Sequence, residues 1–494
     1  MKLTKLDFSH KANYKWWAFI AIAVGTFTSV MTHGSAIVAL PTIAEHFNTD
    51  LPTVQWVVIG ETLTISALLL PMGRLSDIIG RKQVYISGLL LFTVGGAFAG
   101  SSNDITTLIM CKIIQGFGAA MSQGTAMAMV TSIFPSSERG KALGAQMSVV
   151  GSGGVAGPVI GGLLVNALGW RWVFFINVPM GLLAFIAALV ILDKKQFIQD
   201  GLQTKFDWLG AALSTATLIV FLLAITNGYR IGWTSLPIIV SIAIFVTLFI
   251  SFVWWELRID APMLDLRLFQ SKLFSLGVLS GFISFFGISS VRFLIPFYLQ
   301  VVLGYNPGQV GLILAPNALS MIIIGPISGR LSDRYGWRTF NVIGMTLSAI
   351  GILLLSQVTE NSSLIFVMTA IILQSSGTGL FNSPNNSSIF SASDRRRHGV
   401  VSAFLSLTRN SANITSIGVA TAIVTATMAS MGYPATLGAI SGVGDTGLLN
   451  AFTTGLRKAY LTLGSLLIAG IVISYIKGDR VKEPTHQQHE DPKP

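Results

Sequence analysis

The chain has 494 residues, 52% of them hydrophobic and only 11% charged, with 32 Lys and Arg against 21 Asp and Glu and a mean hydropathy of +0.68. Soluble domains carry about a quarter charged residues, so this composition excludes a soluble enzyme, a disordered chain and a nucleic-acid-binding domain. The single cysteine, Cys111, excludes an internal disulfide and a cysteine-based zinc site.

A hydrocarbon layer of about 30 Å needs about 20 helical residues at 1.5 Å each. Cutting the apolar runs at charges, Gly/Pro and polar clusters predicts fourteen spans. In chain order they are Trp17 to Pro41, Thr53 to Met72, Gln83 to Gly100, Ile105 to Val130, Ala142 to Asn166, Val173 to Leu192 and Trp208 to Ile225. There follow Thr234 to Trp254, Phe274 to Leu299, Pro307 to Ser328, Thr339 to Ser356, Leu364 to Ile389, Gly399 to Thr425 and Ala459 to Ile476. The first follows Lys2, Lys5, Lys11 and Lys15 but is too long for a signal-peptide core and lacks a cleavage-like end, so it reads as a permanent helix. The polar tail after Arg480 is expected to be disordered.

Basic residues in short loops orient such a chain. With the amino end in the cytoplasm, the inner segments hold 25 of the 32 Lys and Arg, and the outer loops only Arg171, Arg230, Arg457 and Lys458. Lys112, Arg292 and Arg409 fall inside spans. The even span number then puts both termini in the cytoplasm, and the net charge of +11 is positive-inside bias. Trp16, Trp17, Trp170, Trp172, Trp208, Trp233, Trp254, Trp255 and Trp337 lie near predicted span ends, with Trp56 a turn inside, as an interfacial belt requires.

The segment after span 2, GRLSDIIGRK (Gly73 to Lys82), returns after span 10 as GRLSDRYGWR (Gly329 to Arg338), seven of ten positions being identical or both basic. The loops from Pro135 and Ser391 echo each other more faintly. The chain therefore reads as an all-α polytopic membrane protein of fourteen helices, two six-helix halves with two helices inserted between them. The divisions are 1–16 (cytoplasmic amino end), 17–192 (first half), 193–272 (insertion with linkers), 273–478 (second half) and 479–494 (cytoplasmic tail). Parallel repeats of six helices around a mid-membrane site are a transporter architecture.

The motifs point to a family. G-x-L-x-D-x-x-G-R-K is met by Gly73, Leu75, Asp77, Gly80, Arg81 and Lys82; R-x-x-Q-G-x-G-A-A appears as Lys112, Gln115, Gly116, Gly118, Ala119 and Ala120, with Lys for Arg. G-x-x-x-G-P-x-x-G-G is complete in Gly153, Gly157, Pro158, Gly161 and Gly162, and Ala39-Leu40-Pro41 closes span 1. On these residues the chain resembles the major facilitator superfamily, specifically its fourteen-span drug:proton antiporter branch, over almost its whole length. The resemblance implies alternating access, export rather than uptake, and no cofactor. It implies a cytoplasmic gate at Gly73, Asp77, Gly80, Arg81 and Lys82, echoed by Asp333, Arg334 and Arg338, and a span 5 interface that controls the cavity. One departure stands out: where the branch usually has an Asp about nine residues before that Pro, this chain has Thr32, followed by His33.

Physical chemistry supports these roles independently. Glycines permit close approach and positive φ, and Asp77 can accept hydrogen bonds from Arg81 or a helix N-terminus. Gly153, Gly157 and Gly161 share a helix face and suit tight helix contact, and Pro158 can kink the helix. Gly151-x-Gly153-x-x-Ala156 mimics a dinucleotide fingerprint but lies within a span with no preceding strand. No phosphate-loop or H-E-x-x-H motif occurs, so ATP-driven pumping and zinc chemistry lack support.

Ionisable groups within a span cost about 2.5–3.5 kcal/mol each on insertion scales and are functional by default. Glu61 is the one acid, and His33 the one His, well inside a predicted span. Counting from span ends puts His33, Glu61, Lys112 and Arg292 about 10–12 Å below the outer surface, with Arg409 nearer the middle. Glu61 is the candidate proton-coupling acid, His33 can titrate near neutral pH, and Lys112 takes the place of the family's proton-linked Arg. Arg292 is expected to pair with Glu61 across the halves when the outer gate closes. The plainer alternatives are a structural ion pair for Glu61, a helix–helix hydrogen bond for His33, snorkelling for Arg292 and carbonyl contacts for Arg409. Phe282, Phe285 and Phe286 read mostly as lipid or core contacts.

The leading expectation is a proton-coupled exporter of amphipathic small molecules or drugs. An exporter of an anionic or lipid-like metabolite is the alternative, because the cavity inventory is net positive; a polytopic receptor or membrane enzyme is the remote one. The partners expected are a small-molecule substrate, protons and the lipid bilayer, with no nucleic acid, in a monomer of a bacterial cytoplasmic membrane.

Overall fold

A computed structural model describes residues 13–135, 138–193, 207–232, 234–259, 266–392, 398–434 and 446–478. Fourteen helices among the described residues are long and apolar enough to cross a bilayer. They are α1 (Tyr14–His46), α2 (Leu51–Ile79), α3 (Arg81–Gly100), α4 (Ile105–Ile133), α5 (Arg139–Leu168), α6 (Trp172–Ile191) and α7 (Trp208–Ile231). Then come α8 (Leu236–Glu256), α9 (Lys272–Val302), α10 (Pro307–Tyr335), α11 (Trp337–Leu355), α12 (Leu364–Ser391), α13 (His398–Ser430) and α14 (Thr446–Ile476).

Local chemistry sets their ends. Asp50 accepts the Thr53 amide at 2.9 Å and opens α2. Asn306 and Gln309 form a reciprocal capping box at the start of α10. Exposed Asp104 caps α4, taking the Thr107 hydroxyl at 2.6 Å and its amide at 2.8 Å. Those two bonds hold its carboxyl below the usual carboxylate range. Gly80 (φ +115°) joins α2 to α3 and Gly336 (φ +87°) joins α10 to α11, so the two copies of the repeated motif make the same abrupt turn on a glycine at positive φ.

The helices outrun the predicted spans. α14 begins at Thr446 rather than Ala459, so Arg457 and Lys458, expected in an outer loop, lie within it, and Arg457 Nε donates to Ser356 O at 3.1 Å. α7 likewise runs on past Arg230. Hydrocarbon thickness limits the apolar window, whereas backbone hydrogen bonding continues into the headgroup layer. Trp170 and Trp337, assigned to the interfacial belt, are 4% and 6% exposed and pack inside the protein. The tail 479–494, the amino end before Asn13 and most of the loop from Ser391 lie outside the described residues.

α1–α6 and α9–α14 form the two halves. α7 packs on both α2 and α13, while α8 lies outside it with only Ile238, Phe252 and Glu256 buried. The apolar core is asymmetric across the membrane. Far from the amino end, one continuous cluster joins Ala36 to Leu40 of α1 and Val57 to Ile59 of α2 with Phe293 to Ile295 of α9 and Ile414 and Ile417 of α13. Gln300 Nε2 donates to Val38 O at 2.9 Å across this seam. Near the amino end the halves keep separate clusters, Tyr14, Ala18, Tyr85 and Phe134 in one, Phe274, Ile389 and Val401 in the other. The halves are therefore sealed at one face and divided at the other.

Candidate functional site

Two glycines bring α2 and α4 close. A Cβ at Gly116 would stand 2.6 Å from Glu61 O, and one at Gly60 would stand 3.2 Å from Ile113 Cγ1. This approach sets Lys112 Nζ 2.7 Å from Glu61 Oε2, with side chains 0% and 1% exposed. The ammonium directs a hydrogen bond to Gln115 Oε1 at 2.5 Å and lies 5.5 Å from the Phe174 ring centre. The Gln115 amide in turn donates to Phe92 O at 3.4 Å. An isolated buried charge costs several kcal/mol, so each of Glu61 and Lys112 is tolerated because of the other.

His33 completes the cluster from α1. Its Nδ1 is 3.8 Å from the same Glu61 oxygen, and its side chain is 28% exposed. That distance is too long for a hydrogen bond and is an ion-pair distance once the imidazole is protonated. His33 is thus the partly exposed member of a set whose other two charges are sealed. Thr32 explains the departure at its position: it is 0% exposed and donates to Asn177 Oδ1 at 2.6 Å and Thr28 O at 2.7 Å. A carboxylate there would face a neutral amide oxygen, not the cavity.

Arg292 does not join this cluster, although the face beside it is sealed; the expected pairing with Glu61 is corrected here. Lys112 already occupies the carboxylate, and Arg292 instead lies within electrostatic reach of Arg409 on α13. The expected layer of four thus divides into His33, Glu61 and Lys112 in one half and Arg292 in the other, where Arg292 neighbours Arg409. Gln115, Asn177 and Asn413 were not singled out as site residues. Gln115 belongs to the family motif around Lys112; for Asn177 and Asn413 a neutral amide inside a span is the one sequence signal.

The gate residues occupy the divided face. Asp77 is exposed and accepts from Arg81 Nε at 2.9 Å within its own half, and Arg81 Nη1 donates to Ala128 O at 3.2 Å. Lys82 Nζ donates to the carbonyls of Leu189 and Leu192. Gly73 lies against Gly124, whose Cβ would stand 3.1 Å from Gly73 N. In the second half Arg338 stacks over Tyr475 at 3.9 Å and Arg334 over Tyr335 at 5.4 Å; the Asp333 side chain lies outside the described residues.

The glycine motif of α5 has two working faces. Gly153, Gly157 and Gly161 lie on α1, where Cβ atoms would stand 3.0 Å from Val30 Cβ, 2.9 Å from Gly34 Cα and 2.6 Å from Ser35 Cα. Ser35 Oγ donates to Gly157 O at 2.8 Å. Pro158 and Gly162 meet α10 of the other half: a Cβ at Gly311 would stand 2.5 Å from Pro158 O, and one at Gly162 would stand 3.1 Å from Gly311 Cα.

The sequence profile of the Major Facilitator Superfamily matches residues 22–417 and matches again over 277–493. The chain belongs to this superfamily. The second match begins inside α9, where the repeated half starts. The chain is 34% identical over 400 residues to the riboflavin transporter RibZ of Clostridioides difficile, covering 80% of this chain and 85% of that one. It is 31% identical over 391 residues to the multidrug resistance protein Stp of Mycobacterium tuberculosis, covering 79% and 72%. A solved bacterial homologue of the human lysosomal transporter Spinster shares the fold, with a TM-score of 0.67 at 14% identity over 94% of this chain and 97% of that one. Membership in the superfamily makes the protein a multi-pass membrane transporter of small molecules, not an enzyme.

Proposed function

We propose that the protein is a proton-coupled exporter of amphipathic small molecules, working by alternating access in the cytoplasmic membrane with both termini inside. The observation that carries this reading is the His33–Glu61–Lys112 cluster: one carboxylate, neutralised by a buried ammonium, with a partly exposed imidazole 3.8 Å from it. The basic residues assign the divided face to the cytoplasm, so the state described is open inward and ready to load cargo.

In this reading His33 meets the outer solution after the halves rock. A proton taken up there passes to Glu61 and cancels the carboxylate charge. Lys112 then loses its partner, and the cluster favours the return movement that releases the proton inside. Asp77 and Arg81 act as a latch that is open in the inward-facing state, and the α5–α10 contact is the surface on which the halves pivot. Organic cargo is supported by relatives named for riboflavin transport and for multidrug resistance. In proteoliposomes with an imposed pH gradient, Glu61→Gln is expected to abolish uphill cargo movement while leaving downhill exchange. Full gradient-driven accumulation by that variant would remove the coupling assignment.

A further inference from the structure

Arg292 and Arg409 are not accounted for by the proton cluster. From Phe286 to Leu299 every residue of α9 is buried except Arg292, which is exposed. A helix enclosed on all sides cannot present that side chain to lipid, so Arg292 extends into water-filled space inside the protein. Arg409, half-buried on α13, lies within electrostatic reach of it.

The packing brings the two helices together on either side of these residues. Ser289, one turn before Arg292, donates to Asn413 Oδ1, one turn after Arg409, and Ser416 Oγ donates to Phe286 O at 2.5 Å. No acidic side chain offsets them: among the described residues neither arginine makes an ion pair, and the carboxylate of Glu61 is held by Lys112. Two permanent guanidinium charges within electrostatic reach of each other repel until an anion arrives. An oxyanion suits them chemically, because each guanidinium presents a planar fork of donors to carboxylate, phosphate or sulfonate oxygens.

We propose that Arg292 and Arg409 form the receptor for an oxyanionic group on the transported amphiphile. Cargo is then bound by the second half while the proton is bound by the first, and the two do not compete for one group. Cationic cargo meets net positive charge and is refused. This inference rests on the reading of the chain as a cavity transporter and names the class of its cargo.

The test uses the purified full chain and three probes of one shape: naphthalene-1-acetate, its amide and 2-(1-naphthyl)ethylamine. The acetate is expected to bind at least tenfold more tightly than the amine. Arg292→Gln and Arg409→Gln should each weaken acetate binding about tenfold and leave the amide unchanged. Without ligand, each variant should melt at or above the parent's temperature, since a repulsion has been removed, and acetate should no longer raise it. Arg409→Lys, which keeps the charge but loses the fork, should fall between.

Equal or tighter binding of the amine, failure of the acetate to bind the parent, or undiminished acetate binding in both glutamine variants overturns the proposal. So does a lower melting temperature in the unliganded variants, which would make the arginines structural. Glu61→Gln should keep the acetate preference. If that variant still drives uphill transport while the arginine variants lose binding, the proton assignment falls and the anion receptor stands.

Discussion

The buried pair Glu61–Lys112 carries a cost that depends on both partners being present. Lys112→Met would strand a carboxylate that is 1% exposed, with only His33 within ion-pair distance, and is expected to destabilise the protein by about 3–5 kcal/mol. The double variant Glu61→Gln/Lys112→Met should recover most of that loss, because no charge remains buried; thermal unfolding of the four proteins in detergent gives the cycle. How far this site was legible follows from the same residues. Glu61, His33 and Lys112 could be grouped from sequence because depth along a span is a residue count, and their helices belong to one half. The arginine pair could not be, since it depends on α9 packing against α13, a contact between helices far apart in the chain. Equal depth therefore suggested the wrong partner for Arg292.

At the scale of single helices, glycine positions decide which surfaces can touch. Gly161→Ala would push a methyl to 2.6 Å from Ser35 Cα and force α1 from α5, an overpacking expected to cost about 1–3 kcal/mol. Gly154→Ala, about two turns earlier on the same helix, meets nothing within 4 Å and should be neutral or slightly stabilising, since Ala is the better helix former. Melting temperatures of the two variants separate packing from propensity. The cap of α4 gives a pH test. The Asp104 carboxyl is held low by the Thr107 hydroxyl and amide, so its contribution is present above the ordinary carboxylate value and is lost as pH falls through the lowered one. Hydrogen exchange at the Thr107 amide should accelerate on acidification through that window, and Asp104→Ala should show fast exchange at every pH. The fourteen elements were legible because apolar length is a strong signal, and the paired glycine turns at 80 and 336 because the motif repeats. The extra turns of α7 and α14 were not, because charge marks the edge of the hydrocarbon and not the end of a helix.

For the whole molecule, the continuous apolar seam at one face marks the surfaces that must part when the halves rock. In a Cys111→Ala background, cysteines at Val38 and Gln300, positions linked in the structure by the Gln300 amide donating to the Val38 carbonyl at 2.9 Å, should cross-link readily. The cross-link should stop transport until it is reduced, with gel mobility reporting its formation. α7 adds a constraint on how far this seam can part. Thr215, toward its start, donates to Ala67 O of α2 at 2.9 Å, and Thr226, toward its end, lies against Gly418 of α13. A rod fastened to both shells at different heights acts as a strut: each swing must bend it or slide it. The inserted pair of helices therefore sets a ceiling on the stroke, and with it on the girth of any molecule that can be carried through.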